Sequence, residues 1–204
     1  VPDDRLAKLA TIYGSQKLLP APLSFVDIAG IVKGASEGAG LGNKFLANIR
    51  ETDAICQVIR VFTDGDVVHV DGRIDPASDI ETINTELALA DLQTIEKAIP
   101  RLEKEVRIAK EKAPALEAAK AANEWLQSGR PLSQSSISRE DLAELHLLTA
   151  KPFLYVFNVD AAELNDTDLR KKLQELVSPA EAIFLDAKTE AELAELSDED
   201  ALEL

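Results

Sequence analysis

Asp27 and Gly30, three apart at the end of the short apolar run 23–26, are the residues whose types and spacing could do chemistry. A carboxylate leaving a strand can hold Mg²⁺, usually through water, because that ion keeps much of its hydration shell. A glycine N–H can approach a terminal phosphate because no side chain intervenes. Gly34, Gly38, Gly40 and Gly42 follow among small and polar residues. Glycine-rich backbone of this kind can be ordered by a phosphate and released when the phosphate leaves. Strand–Asp–x–x–Gly is a short pattern, and an ordinary strand-to-helix loop has the same spacing.

The run 153–159, FLYVFNV, reads as a buried strand that ends at Asn158. The Asn158 amide can serve a ligand or cap the following turn. Asp186-Ala187-Lys188 follows the run 182–185 and has the form of a strand-to-helix turn. Lys33, Lys44, Arg50 and Glu51 read as surface or helix-pairing charges. His69 and His146 are far apart and show no ligand spacing, and the sequence holds no Cys/His metal cluster.

The elements that must position these residues follow from periodicity. Residues 4–13 read as a helix, 23–27 as a strand, 30–42 as a loop and 43–51 as a short helix. The run 54–62, AICQVIRVF, suits a strand covered on both faces, with Cys56 in the core. From Asp79 the spacing changes: Ile80, Ile83 and Leu87, then Leu92, Ile95, Ile99, Leu102 and Val106, form an apolar seam on a long helix. Pro100 predicts a kink or interruption there, since proline removes an internal hydrogen bond, and Pro114 marks a reversal. Residues 115–127 form a second helix whose Leu116, Ala119, Asn123 and Leu126 can face the first. A third helix is predicted over 139–148, capped by Ser138. Residues 162–177 are helical in their second half, Ser178-Pro179 ends that helix, and the acidic tail from Thr189 is helical. Strands alternating with helices indicate an α/β sheet with a helical insertion between two strands.

The formal charge of −15 argues against a general nucleic-acid or acidic-membrane surface, but leaves room for RNA contact through a local basic patch. One cysteine excludes an internal disulfide framework and fits a reducing, cytoplasmic setting. No apolar run is long enough to span a membrane as a helix. The chain has no methionine and begins Val-Pro-Asp, which suggests that residue 1 is not a native start.

The stretch DIAGIVKGASEGAGLGNKFLANIRETDAI closely resembles the switch II region of the YchF family, Obg-like ATPases of the translation-factor class of P-loop NTPases. VPDDRL at residues 1–6 and NTELALAD at 84–91 continue the resemblance. It implies a partial P-loop NTPase sheet with an inserted antiparallel coiled-coil arm. The implied divisions are 1–78 for a partial nucleotide-binding domain, 79–149 for the arm, and 150–204 for the rest of that domain. The resemblance also implies that Asp27 supports Mg²⁺, that Gly30 senses the terminal phosphate, and that Ile31, Gly34, Gly38, Gly40 and Gly42 belong to the switch. Asn158 and Val159, with Ala187 and Lys188, would border the base. Ile31 stands where several GTPase families place a water-orienting residue, which an isoleucine cannot be, so unassisted hydrolysis should be slow. Asn158-Val159-Asp160-Ala161 departs from both Asn-Lys-x-Asp and the Asn-x-x-Glu of YchF proteins. Ala161 cannot read guanine, although Glu163 or Asp160 could substitute. ATP is therefore expected over GTP, together with ribosome association.

The phosphate cradle Gly-x-x-x-x-Gly-Lys-Ser/Thr has no match, and Gly42-Asn43-Lys44 is not a substitute. In the family the cradle lies upstream of VPDDRL and a TGS domain follows the acidic tail, so the chain reads as the middle of a longer protein. An exposed sheet edge and self-association are expected where the first strand belongs. The alternative function is a module without nucleotide hydrolysis, whose arm binds a partner.

Overall fold

The computed structural model describes residues 3–28, 41–62, 74–197 and 200–201. Its frame is a three-stranded parallel sheet in the order β1-β2-β3. The strands are β1 (Ile55–Arg60), β2 (Phe153–Asn158) and β3 (Glu181–Leu185), close to the apolar runs that predict them. Register places Gln57 beside Tyr155 and Ala182, and Ile59 beside Phe157 and Phe184. This row faces the core, where Ile59, Tyr155 and Phe157 pack with Ile80, Leu173 and Val177. The opposite row holds Val58, Val156 and Ile183. Coverage of both faces is not realised: Val58 is 67% exposed and Ile183 45%. Cys56 lies in that row and is exposed rather than in the core. The helices that supply Ile80, Leu173 and Val177 all pack on one side of the sheet.

Helix α1 (Asp4–Tyr13) is capped by Asp3 and closed by Gly14, whose φ of 63° favours glycine. It buries no residue. The predicted strand over 23–27 does not form: residues 15–28 enter no ladder, and Leu23, Phe25 and Val26 are exposed. A strand needs a neighbour to satisfy its backbone, and among the described residues β1 pairs only with β2. Ile28 alone turns inward, half-buried against Leu46, Ile49 and Leu87. Helix α2 (Leu41–Arg50) starts two residues earlier than predicted and takes Gly42 into its first turn.

The arm is built on α3 (Pro76–Ile108), capped by Asp75 with Pro76 in its first turn. It runs through Pro100 without interruption. The carbonyl that loses a partner there belongs to Glu96; both residues are exposed, so water can take the bond. The chain reverses at Ala109 and a 3₁₀ turn, Lys110–Lys112, rather than at Pro114, which sits in the first turn of α4 (Ala113–Leu126). Leu116, Ala119 and Leu126 face α3 as predicted, joined by Ala118 and Ala122, while Asn123 is half-buried. Lys120–Glu103 at 3.7 Å and Lys112–Glu105 at 3.1 Å show the antiparallel order.

The predicted third helix is replaced by turns with one 3₁₀ segment, Ala143–Leu145. Ser138 caps as expected, its hydroxyl accepting from the Asp141 N–H at 3.2 Å, but no α-helix follows. Leu142, Leu145, Leu147 and Leu148 are all buried, more than one stripe of a short helix can present. His146 is exposed and adopts φ 47°, which breaks helical continuity. After β2 come α5 (Ala161–Leu164) and α6 (Thr167–Val177), then a cis Ser178–Pro179 bond, β3 and α7 (Ala187–Leu193).

Candidate functional site

Arg60, Asn158 and Leu185 form the last register row of three parallel strands. Ligands of open α/β sheets bind outside this carboxyl edge. The Asn158 Oδ1 accepts the Ala187 N–H at 3.0 Å. The Val159 N–H donates to the Leu185 carbonyl at 3.0 Å, and Val159 is buried. Asn158 therefore welds the loop after β2 to the loop after β3, and Lys188 follows in the first turn of α7, exposed.

The second loop is preorganised by Asp186. Its carboxylate accepts the Thr189 N–H at 3.2 Å, the Thr189 hydroxyl at 2.9 Å and the Lys188 N–H at 3.0 Å. These bonds, those from Thr189 first, hold its pKa below the usual carboxylate range. The first loop is closed by a reciprocal cap: Asp160 accepts the Glu163 N–H at 2.8 Å, and Glu163 accepts the Asp160 N–H at 3.1 Å. Both carboxylates considered as replacements for the missing base-reading group are thus committed to the start of α5, where Ala161 is the first residue.

Asp27 is exposed, and among the described residues no group bonds to its carboxylate. A single free hard oxygen donor fits Mg²⁺, which is commonly held by one or two carboxylates plus substrate phosphates. Gly30, Ile31, Gly34, Gly38 and Gly40 lie outside the described residues, and Gly42 is in α2. Of the residues singled out in the sequence, the structure brings together Asn158, Val159, Ala187 and Lys188. A groove of about 300 Å³ lies elsewhere, lined by Leu46 and Arg50 of α2 and Thr94 and Lys97 of α3.

Beside that groove is a polar junction that sequence reading missed. Arg50, read as a surface charge, donates to the His146 carbonyl at 3.0 Å and to the Thr94 hydroxyl at 3.1 Å. Lys151 donates to the carbonyls of Arg50 and Thr52 at the end of α2. Asp91, fully buried on α3, accepts the N–H groups of Leu148 and Thr149, each at 2.8 Å, and the Thr149 hydroxyl at 2.7 Å. Burial pushes its pKa up, against the lowering by these bonds and by Arg50. Upstream, Asn84 accepts from the Gln57 amide at 3.0 Å. The motif NTELALAD thus anchors the arm: Asn84 to β1, Asp91 to the segment entering β2. The available signal was Asp91 at an inward position between Leu87 and Ile95.

A parallel α/β sheet with two hydrogen-bonded loops at its carboxyl edge, interrupted by a helical arm, has the architecture of part of a GTPase-type domain. A family model described as "50S ribosome-binding GTPase" matches residues 9–98. The chain is 45% identical to the "Ribosome-binding ATPase YchF" of Bacillus subtilis, aligning over 98% of its own length and 57% of that protein. For the protein of the same name from Escherichia coli O157:H7 the identity is 42%, over 98% and 57%. A solved structure titled "Structure of the Schizosaccharomyces pombe YchF GTPase" superposes with a TM-score of 0.75 at 33% identity, covering 100% of this chain and 58% of that one. The chain belongs to the YchF family and spans somewhat over half the length of these relatives. No helix among the described residues is long and apolar enough to cross a membrane.

Proposed function

We propose that this chain is the switch, base-binding loops and helical arm of a ribosome-associated ATPase. The observation that supports it most is the Asn158–Ala187 bond, which pre-forms a two-loop platform at the carboxyl edge. In this reading Asn158 and Val159 on one side, and Ala187 and the Lys188 stem on the other, border the purine. Residues 1–78 and 150–204 make up the nucleotide half and 79–149 the arm. Ala161 offers no carboxylate to guanine N–H groups, and the Asp160–Glu163 cap occupies both neighbouring acids. Both facts favour ATP over GTP.

Asp27 would hold Mg²⁺ through water, and the ion would supply charge neutralisation at the phosphates. Gly30 would sense the terminal phosphate. Ile31 can neither orient nor deprotonate water, so hydrolysis would be slow. Nucleotide-dependent ordering would involve Gly34, Gly38, Gly40 and Gly42 and would enter α2. From there Arg50 connects α2 to α3 and the arm.

The deciding experiment measures ATP and GTP hydrolysis by the full-length protein with Mg²⁺, against Asp27→Ala. Slow ATP turnover lost in the variant is expected. Turnover equal in both proteins would overturn the role of Asp27, and faster GTP turnover would overturn the nucleotide preference. The edge of β1 that is unpaired among the described residues and the exposed Val58 support a second element, self-association of this 204-residue chain. A purely monomeric sedimentation profile at high concentration would remove it.

A further inference from the structure

The end of the arm differs in charge from the rest of the molecule. Residues 101–112 hold five cations against three carboxylates, in a chain of formal charge −15. Two of those carboxylates are already engaged by the arm itself: Glu103 by Lys120, and Glu105 by Arg101 and Lys112. Lys104, Arg107 and Lys110 are exposed, and among the described residues none of their side chains forms an ion pair or hydrogen bond. Glu111 alone is left to oppose them in this segment. Lys104 and Arg107 are three apart on the last turns of α3 and share a face. Lys110 follows three further on, at the start of the 3₁₀ turn that the extended Ala109 separates from the helix. Ile108, between them, is 91% exposed, the most exposed large apolar side chain of the described residues.

Cations at a helix C-terminus complement its dipole. That accounts for Arg107 in the last turn, but not for Lys110 beyond the helix end, nor for an isoleucine left in water at the same place. We infer that the end of the arm, through Lys104, Arg107 and Lys110, binds the phosphate backbone of folded RNA, with Ile108 seated against the sugar edge. The inference deepens the ribosome-associated reading and rests on it for the source of the RNA. Three cations with uncommitted side chains within seven residues at the end of the arm match the closely spaced charges of a nucleic-acid backbone. The overall acidity of the chain would keep other surfaces off the same polyanion.

The test titrates the full-length protein into a fluorescein-labelled RNA hairpin across a salt series and, in parallel, sediments it with purified ribosomes. Three proteins are compared: wild type, K104Q/R107Q/K110Q, and a control K8Q/K17Q that removes charge from the N-terminal segment. The triple variant should bind the hairpin at least about tenfold more weakly, with a salt slope smaller by about three and reduced ribosome co-sedimentation. The control should match wild type, and equal melting midpoints verify that all three fold. If hairpin affinity and slope are unchanged in the triple variant, the inference is overturned. Loss of ribosome binding with unchanged hairpin binding would also overturn it, pointing to an acidic ribosomal protein instead. Hairpin binding that depends on the three cations, in a wild type that does not sediment with ribosomes, would support the RNA site while removing the ribosome reading.

Discussion

The N-terminal segment and the arm have comparable supplies of apolar residues and opposite fates. Leu18, Leu19, Leu23, Phe25 and Val26 lie in the open, and α1 buries nothing. In the arm, Ile95, Leu102, Leu116 and Leu126 are 0–7% exposed. The difference is a partner surface. The seam of α3 meets a matching seam on α4 after a reversal of only four residues, so loop closure costs little. The 15–28 segment meets no ladder among the described residues, and its apolar character is left without a place to act. Apolar content locates a segment that could be buried; burial itself requires a complementary face within reach.

The comparison can be broken most severely in the seam. Ile95→Ala should destabilise the chain by about 3.5 kcal/mol in urea unfolding, through lost transfer energy and a residual cavity. A loss under about 1 kcal/mol would mean that the arm is far looser than its burial indicates. Asp91→Ala should cost about 3 kcal/mol, because two backbone N–H groups and a hydroxyl lose a buried acceptor. Asn158→Ala should cost about 1 kcal/mol by releasing one loop-to-loop bond. In the full-length protein it should also weaken ATP binding measurably. Unchanged affinity would detach the platform from nucleotide binding.

Acid titration separates two carboxylates with opposite signs. Asp186 has a folded pKa below its unfolded one, so its stabilisation is present above the unfolded pKa and is lost as pH falls through the folded value. Asp91 has a folded pKa above its unfolded one; its ionised form costs stability above the folded pKa, and that cost is relieved as pH falls toward the unfolded value. Urea midpoints measured against pH should therefore lose their acid-side decline in part in Asp186→Asn, and show a steeper decline in Asp91→Asn. The smallest effect is expected at Phe25→Ala, within about 0.5 kcal/mol of wild type, since an exposed side chain gives up little on truncation. A larger loss would show that the segment packs in solution and would remove the contrast with the arm.

Local periodicity and turn chemistry were legible in the chain alone. The runs that become β1, β2 and β3, the seam of α3 and α4, and the break at Ser178-Pro179 all follow from short-range pattern. The cap by Ser138 was also readable, because an N-cap involves only neighbouring residues. Family-level motifs pointed to Asn158 and to the loop at Asp186–Lys188 as one site, and the Asn158–Ala187 bond brings them together. Tertiary contacts decided the rest. Pro100 was tolerated because the carbonyl it frees faces solvent. The predicted third helix gave way because four leucines are buried there and Asp91 captures the backbone on leaving it. Cys56 came to the surface because the helices cover one side of the sheet and β1 shows it to the other. Arg50, indistinguishable from any helix-end cation in the sequence, became a connector between α2 and α3 because packing brought Thr94 and the His146 carbonyl within reach. Residue type and spacing specify which groups can bond, whereas contacts between residues 44 to 101 positions apart depend on how the elements dock.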